Sequence, residues 1–398
     1  MKKVFCIAYG GGHINIIKHV YFELQSRPKI EANILALTMA DNILTKENIP
    51  HSTIGDYLDI FDYKNKIVEY GYNCIRNQDI AKEIRYIDSV VYHGIGYYDL
   101  ENSVGKEEAQ KLYALNGRKA FLPVNSMKEI IKKEKPDVLL ITNSPRMETA
   151  AGIAANELNI PVVRVNDLPY MNKTPLYKAK VCVMNEWAKN DIINRKLLDE
   201  EDIFVTGQPV FEDDMKLLSE KIKEYEVSIK NRYEKVILYL GQGYTREADR
   251  IINILREVAT NNPKWLVICR PHPNDSYDYI TKYGITNNLI FSKEGELKYL
   301  LKISDVAITI NSTSGLQSVL LGTPLIQMDI LEDSKDDFYI PGASVLVEDT
   351  LELTDAINKL IDEKSYNSSI MLDNMKIYGN KANAAANIAD VVMNQIKL

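Results

Sequence analysis

The residues able to do chemistry gather in short polar turns, each placed after an apolar run. Gly10-Gly11-Gly12-His13 follows Val4–Tyr9, Asn143 to Glu148 follows Val138–Thr142, and Asn166-Asp167 follows Val162–Val165. Further along come Gly241-Gln242-Gly243, then Arg270-Pro271-His272-Pro273-Asn274, then Asn311-Ser312-Thr313-Ser314-Gly315. His13 can exchange a proton near neutral pH. Glu148 is a carboxylate in the first turn of a helix that could act as a base, and Asp167 stands in the turn after its own strand. Each also has a plainer use: His13 as a turn residue, Glu148 as a negative charge in the first turn of a helix. Arg146 could meet an acidic group of a substrate. The hydroxyls of Ser312, Thr313 and Ser314 sit beside free N–H groups at a helix start, which suits a phosphate; they also suit capping alone.

The elements that must hold these turns alternate between strand and helix. Val4–Tyr9 reads as a buried strand, and Ile14, Ile17, Val20 and Leu24 recur behind it at helical spacing. The glycines between them let the backbone come close to a ligand, but they do not fit G-x-G-x-x-G. Ala32–Leu37 reads as the second strand. From about 56 to 122 the pattern turns mixed and rich in tyrosine (Tyr86, Tyr92, Tyr97, Tyr98, Tyr113), as expected of inserted helices and loops that build a substrate site or a lid. Tyrosine can stack on a sugar ring, although surface packing is the expected use of most of these. Strands Val138–Thr142, Val162–Val165, Val181–Met184 and Ile203–Val205 complete a first β-α series. A second runs from Val236–Leu240 through Trp265–Cys269, Leu289–Phe291, Val306–Ile310 and Leu325–Met328. The fold expected is α/β, with two Rossmann-like domains facing across a cleft. Residues 1–206 read as the first domain and 207–375 as the second; the resemblance of the polar turns to those of GT-B-fold enzymes implies that the first is acceptor-side, that the second binds the nucleotide, and that a helix over 376–398 crosses back to the first.

The totals exclude some classes. At 398 residues, with 45% hydrophobic and 26% charged residues, the chain is long enough for two or three domains. Its net charge of -7 argues against a nucleic-acid partner. Cys6, Cys74, Cys182 and Cys269 are scattered without CxxC spacing and read as reduced core thiols of a cytoplasmic protein. The start, MKKVFCIAYGGGH, reads as a first strand and not as a signal peptide. No run of apolar residues is long enough to span a membrane. No Asp-x-Asp pair stands at the strand ends, so no metal or other cofactor is expected. Arg270, His272 and backbone N–H groups would meet the charge of a leaving nucleotide instead.

Together these turns, with Leu321-Gly322-Thr323-Pro324 behind the Ser-Thr-Ser-Gly segment, resemble those of GT-B-fold nucleotide-sugar glycosyltransferases of the capsule and surface-polysaccharide type. The His-Pro and Ser/Thr-rich motifs are similar to those of sialyl-, polysialyl- and Kdo-transferases and of CDP-glycerol polymerases. The glycine-rich turn with its histidine is similar to that of the enzyme adding N-acetylglucosamine in peptidoglycan synthesis. The layout is shared with UDP-N-acetylglucosamine 2-epimerases. The resemblance implies donor contacts from Gly11, Gly12, Gly241, Gln242, Gly243, Arg270, His272, Asn311, Ser312, Thr313, Ser314, Gly315 and Gln317. It implies His13 as the group that activates the acceptor hydroxyl or touches the donor, with Glu148 and Asp167 in reserve. Gln317 stands where many such enzymes place a glutamate on the donor ribose. An amide replaces a carboxylate there only in part, so the donor is left open between UDP- and CMP-linked sugars. The acceptor implied is a glycan, a lipid-linked or a protein hydroxyl, and one base with direct displacement implies inversion. Peripheral contact with the inner membrane face and homodimerisation stay open. The alternatives are a 2-epimerase or hydrolase on the same scaffold, although the Gly-Thr-Arg-Pro opening associated with these is missing, and a nucleotide-binding protein without catalysis.

Overall fold

The computed structural model describes residues 1–77, 80–168, 170–241, 246–272, 275, 277–310, 312, 314–329, 340, 342–362 and 377–396. The chain divides into two compact units, Met1–Val210 with Lys381–Leu398, and Phe211–Asn380.

Unit 1 opens with β1 (Lys2–Tyr9), α1 (Gly12–Gln25), β2 (Ile30–Leu37), α2 (Ala40–Lys46) and β3 (Ser52–Thr53). Inserted helices α3 (Lys64–Ile75), α4 (Tyr86–Val104) and α5 (Lys106–Asn116) follow. The β-α series resumes with α6 (Val124–Glu134), β4 (Val138–Ile141), α7 (Met147–Glu157) and β5 (Val162–Val165). It ends with β6 (Lys180–Val183), α8 (Glu186–Asn194), β7 (Ile203–Val205) and α9 (Pro209–Asp214). The strands pair in the order β3-β2-β1-β4-β5-β6-β7, and every neighbouring pair is parallel.

Unit 2 carries α10 (Ser219–Lys230), β8 (Lys235–Leu240), α11 (Arg246–Asn261), β9 (Trp265–Arg270), α12 (Tyr279–Tyr283) and β10 (Leu289–Phe291). Then come α13 (Leu297–Ile303), β11 (Val306–Thr309), α14 (Ser314–Leu320), β12 (Leu325–Met328), β13 (Val345–Val347) and α15 (Leu353–Asp362). Its parallel strands run β10-β9-β8-β11-β12-β13, the doubly wound order. The last helix, α16 (Ala384–Gln395), returns to unit 1.

The helical spacing in α1 has a direct cause. Ile14, Ile17, Val20 and Leu24 are fully buried in one cluster with Cys6, Ile34 and Leu140 of the sheet. Each such side chain contributes about 1.5–3 kcal/mol by leaving water, so α1 folds onto the sheet although no side chain caps its start. Ile388, Ala389 and Val392 of α16 complete the same cluster. The chain reaches α16 past Gly207, whose φ of 83° and position against the Lys381 carbonyl leave no room for a side chain: a Cβ there would lie 2.1 Å from that oxygen.

The insertion is more interior than its tyrosine content suggests. Tyr92 is buried, Tyr97 packs edge-on against Tyr70 and Tyr113, and Tyr98 stacks on Tyr63. Of these tyrosines Tyr92 departs from the surface packing expected of most, while Tyr97, Tyr98 and Tyr113 are half-buried and Tyr86 stays exposed. Cys6, Cys182 and Cys269 are buried free thiols and Cys74 is half-buried. Burial pushes the Cys6 and Cys182 thiols up to about 12.

Candidate active site

In a doubly wound sheet the ligand crevice lies beyond the strand C-termini where the strand order reverses. In unit 1 that point falls between β1 and β4, paired from Val4↔Val138 to Ile7↔Ile141. His13 sits in the first turn of α1, after β1. Its Nδ1 lies 2.8 Å from Thr142 Oγ1 at the end of β4 and 3.6 Å from Asp167 Oδ2 beyond β5. Thr142 Oγ1 donates in turn to Glu148 Oε2 over 2.6 Å. With its proton committed to the carboxylate, the Thr142 hydroxyl accepts from His13 Nδ1–H. That tautomer leaves the lone pair on Nε2, the nitrogen that can act as a base.

Glu148 is fully buried and also accepts from the backbone N–H groups of Tyr9 (3.1 Å) and Thr142 (2.8 Å). It thus ties the end of β1 to the end of β4. A carboxylate enclosed in this way is closed off from an acceptor hydroxyl, and its place in the first turn of α7 is the plainer of its two expected uses. Burial raises its pKa, while the nearby His13 and the three hydrogen bonds oppose the rise. Asp167 stays partly exposed, at 21% of its side chain. Its Oδ1 is buried without a hydrogen-bond partner among the described residues, and its backbone N–H donates to Asn143 Oδ1.

Two further groups flank the switch point. Gly11, with φ of 73° and no side-chain cap, starts α1. Nothing lies within 4 Å of where a Cβ on Gly11 or Gly12 would stand, so this turn leaves its backbone uncovered. Arg146 precedes α7 at φ 69° and ψ -108°, an unusual conformation for a residue with a side chain. Its Nε donates to Tyr92 Oη over 3.1 Å and its guanidinium lies 5.5 Å from the Tyr9 ring centre. The Tyr9 and Tyr92 hydroxyls share a hydrogen bond of 2.8 Å. Burial holds the Tyr9 phenol well above its usual pKa.

In unit 2 the reversal lies between β8 and β11, paired from Val306↔Ile237 to Thr309↔Leu240. Gly241 follows β8 and donates its N–H to the Arg270 carbonyl; a Cβ there would lie 3.3 Å from that oxygen. The Arg270 guanidinium donates to the carbonyls of Glu294 (2.6 Å) and Gly295 (3.0 Å). Two of its five N–H groups are therefore bound to the chain, and burial lowers its pKa. His272 is exposed. Ser312 Oγ accepts over 3.2 Å from the N–H of Ser314, the first residue of α14. Gly315 packs 3.1 Å, at its would-be Cβ, from Thr309. Gln317 is half-exposed on α14. Gln242, Gly243, Asn311 and Thr313 lie outside the described residues.

Within unit 1 the structure thus brings together His13, Asp167 and Glu148. Within unit 2, Gly241, Arg270, Ser312, Ser314 and Gly315 stand at the ends of the adjoining strands β8, β9 and β11. Thr142, which joins His13 to Glu148, is the member of this cluster that sequence reasoning missed. It is the last residue of the apolar run before Asn143, and only the β1–β4 pairing reveals its partner. Among the described residues, no group of three or more His, Cys, Asp or Glu side chains is placed to hold a metal ion. No described helix is long and apolar enough to cross a membrane.

Residues 136–328, just under half of the chain, match the model of a family described as capsule polysaccharide biosynthesis protein. No curated protein matches the sequence. Among solved structures, the chain is similar to a UDP-GlcNAc 2-epimerase from Neisseria meningitidis bound to UDP-GlcNAc, at 16% identity and a TM-score of 0.61, over 99% of each chain. It is also similar to MnaA of S. aureus, solved with UDP, at 13% identity and a TM-score of 0.64, over 100% of this chain and 96% of that one. The glycotransferase of kitacinnamycin is similar at 12% identity and a TM-score of 0.59, over 99% of each chain. The chain therefore has the two-domain α/β fold that these solved structures share, GT-B, and its residues 136–328 carry the pattern of the capsule polysaccharide biosynthesis family.

Proposed function

We propose that this protein is a metal-independent glycosyltransferase of surface-glycan synthesis, moving a sugar from a nucleotide-sugar donor to a hydroxyl acceptor with inversion. The observation that carries the reading is the His13–Thr142–Glu148 chain, which leaves His13 Nε2 as a base at the strand ends. His13 Nε2 takes the proton of the acceptor hydroxyl. The hydroxyl oxygen forms its bond to the anomeric carbon, and the bond from that carbon to the phosphate oxygen breaks, its electron pair leaving with the nucleotide. The Thr142 hydroxyl and the Asp167 carboxylate hold the Nδ1–H of the imidazolium so formed. In unit 2, Gly241, Arg270, His272 and Ser312–Gly315 are assigned to the donor phosphates and Gln317 to the donor ribose. The family match over 136–328 supports the pathway assignment.

The test is His13→Ala. Turnover should fall roughly 100-fold or more, while the thermal shift given by UDP, CMP or their sugars stays as in the parent protein. Unchanged turnover would remove His13 from the mechanism.

The unpartnered Asp167 Oδ1 beside His13 favours a second reading, 2-epimerisation or hydrolysis of a UDP-sugar. The Asp167 carboxylate, part of which stays exposed beside His13, could move the proton at sugar carbon 2. Incubation with UDP-GlcNAc in deuterated water, without acceptor, separates the two. Deuterium at carbon 2 supports epimerisation, and an unlabelled sugar supports transfer.

A further inference from the structure

A cavity of about 300 Å³ lies among α3, α4 and α5, within the insertion of unit 1. Its walls combine Tyr70, Tyr97 and Tyr113 with Glu69, Glu101 and Gln110. The volume is at the lower end of that of small-molecule sites. Its polar groups are largely uncommitted. Tyr70 donates to Glu101 over 2.8 Å. The Tyr97 hydroxyl, Glu69, Gln110 and the ammonium of Lys106, which also lines the cavity, have no hydrogen-bond or ion-pair partner among the described residues. The lining therefore keeps donors and acceptors open around aromatic rings.

The chemistry of the lining narrows the ligand. Two carboxylates disfavour an anion and Lys106 disfavours a cation. The number of hydrogen-bonding side chains disfavours a purely apolar guest, whose entry would strip them of water. A neutral, polyhydroxylated ring satisfies all three conditions: its C–H face lies on tyrosine, and its hydroxyls donate to carboxylates and accept from ammonium and amide groups. We infer that this cavity is a binding site for a neutral sugar unit, separate from the strand-end centre at His13.

Cys74 lines the same cavity and provides the probe. It is half-buried, whereas Cys6, Cys182 and Cys269 are buried, so it is the thiol that iodoacetamide reaches in the folded protein. Burial raises its pKa above the usual thiol value, so labelling is run at mildly alkaline pH. The native protein, without nucleotide, is labelled with and without a panel of neutral oligosaccharides (maltohexaose, cellohexaose, chitohexaose). A sugar present at ten times its dissociation constant should slow labelling roughly tenfold by simple occupancy. The protection should persist in His13→Ala, so it stands or falls apart from the proposed transfer, and it should be lost in Gln110→Ala and Glu69→Ala, both at exposed positions. Absence of protection by every sugar, protection that survives both cavity substitutions, or equal protection by tetramethylammonium would each overturn the inference.

Discussion

Glu148 has three donors converging on its carboxylate: two backbone N–H groups and the Thr142 hydroxyl. Glu148→Gln puts an amide N–H₂ where one of those donors points. The expected cost is about 1–3 kcal/mol of stability, that of a buried unsatisfied donor, read as a lower denaturant midpoint. Turnover should fall as well, with donor affinity unchanged, because Thr142 would no longer hold His13 Nδ1. Asp137 gives the acid limb of stability. The Lys3 backbone N–H, against some opposition from burial and with help from Lys2, holds its carboxyl below the usual range. The folded chain thus takes up this proton less readily than the unfolded one. The stabilisation is full above the unfolded pKa of about 3.9 and is lost as pH falls through the lower folded value. In Asp137→Asn the denaturant midpoint should fall at neutral pH and come close to that of the parent at the acid end. His13, Glu148 and Asp167 were all legible as polar residues after apolar runs. Their division of labour was not, because burial of Glu148 and the role of Thr142 follow from which strands lie side by side.

At the scale of elements, α3 and α4 cross at Gly71 and Gly94. A Cβ on Gly94 would lie 2.0 Å from the Ile67 carbonyl oxygen, and one on Gly71 would lie 1.9 Å from that of Val90. Glycine to alanine in a helix interior normally gains up to about 1 kcal/mol. Here backbone blocks the new methyl, and Gly94→Ala should cost about 1–3 kcal/mol net by overpacking, measured by denaturant unfolding. Such a crossing is not legible in sequence, since a glycine inside a helical pattern reads equally as a break. The strands were legible because parallel strands buried on both faces leave unbroken apolar runs, as in Val4–Tyr9 and Val236–Leu240. The tyrosine-rich stretch had no such period, so its helices were expected only as an unassigned insertion, and its aromatic interior came from tertiary packing alone.

At the scale of the whole molecule, the two units have separate sheets and separate hydrophobic clusters. Removal of residues 381–398 takes Ile388, Ala389 and Val392 out of the unit 1 cluster and the Asn387 bond from the Thr206 carbonyl. Unit 1 should become sensitive to limited proteolysis while a fragment near 211–380 survives. Equal resistance of both units would show that α16 is dispensable. The doubly wound layout was legible from the alternation of runs and helical patterns. The return of the last helix came from resemblance, and composition alone gave no sign of it.

That return also sets a timetable for a chain emerging from a ribosome. The first 210 residues leave the exit tunnel with the face of α1 that α16 covers still bare. At about 5–20 residues per second, roughly nine to thirty-seven seconds pass before the covering segment is made. In that interval unit 2, encoded without interruption, can close its own core, while the earlier-born half waits with an oily seam open to chaperones or to neighbouring nascent chains.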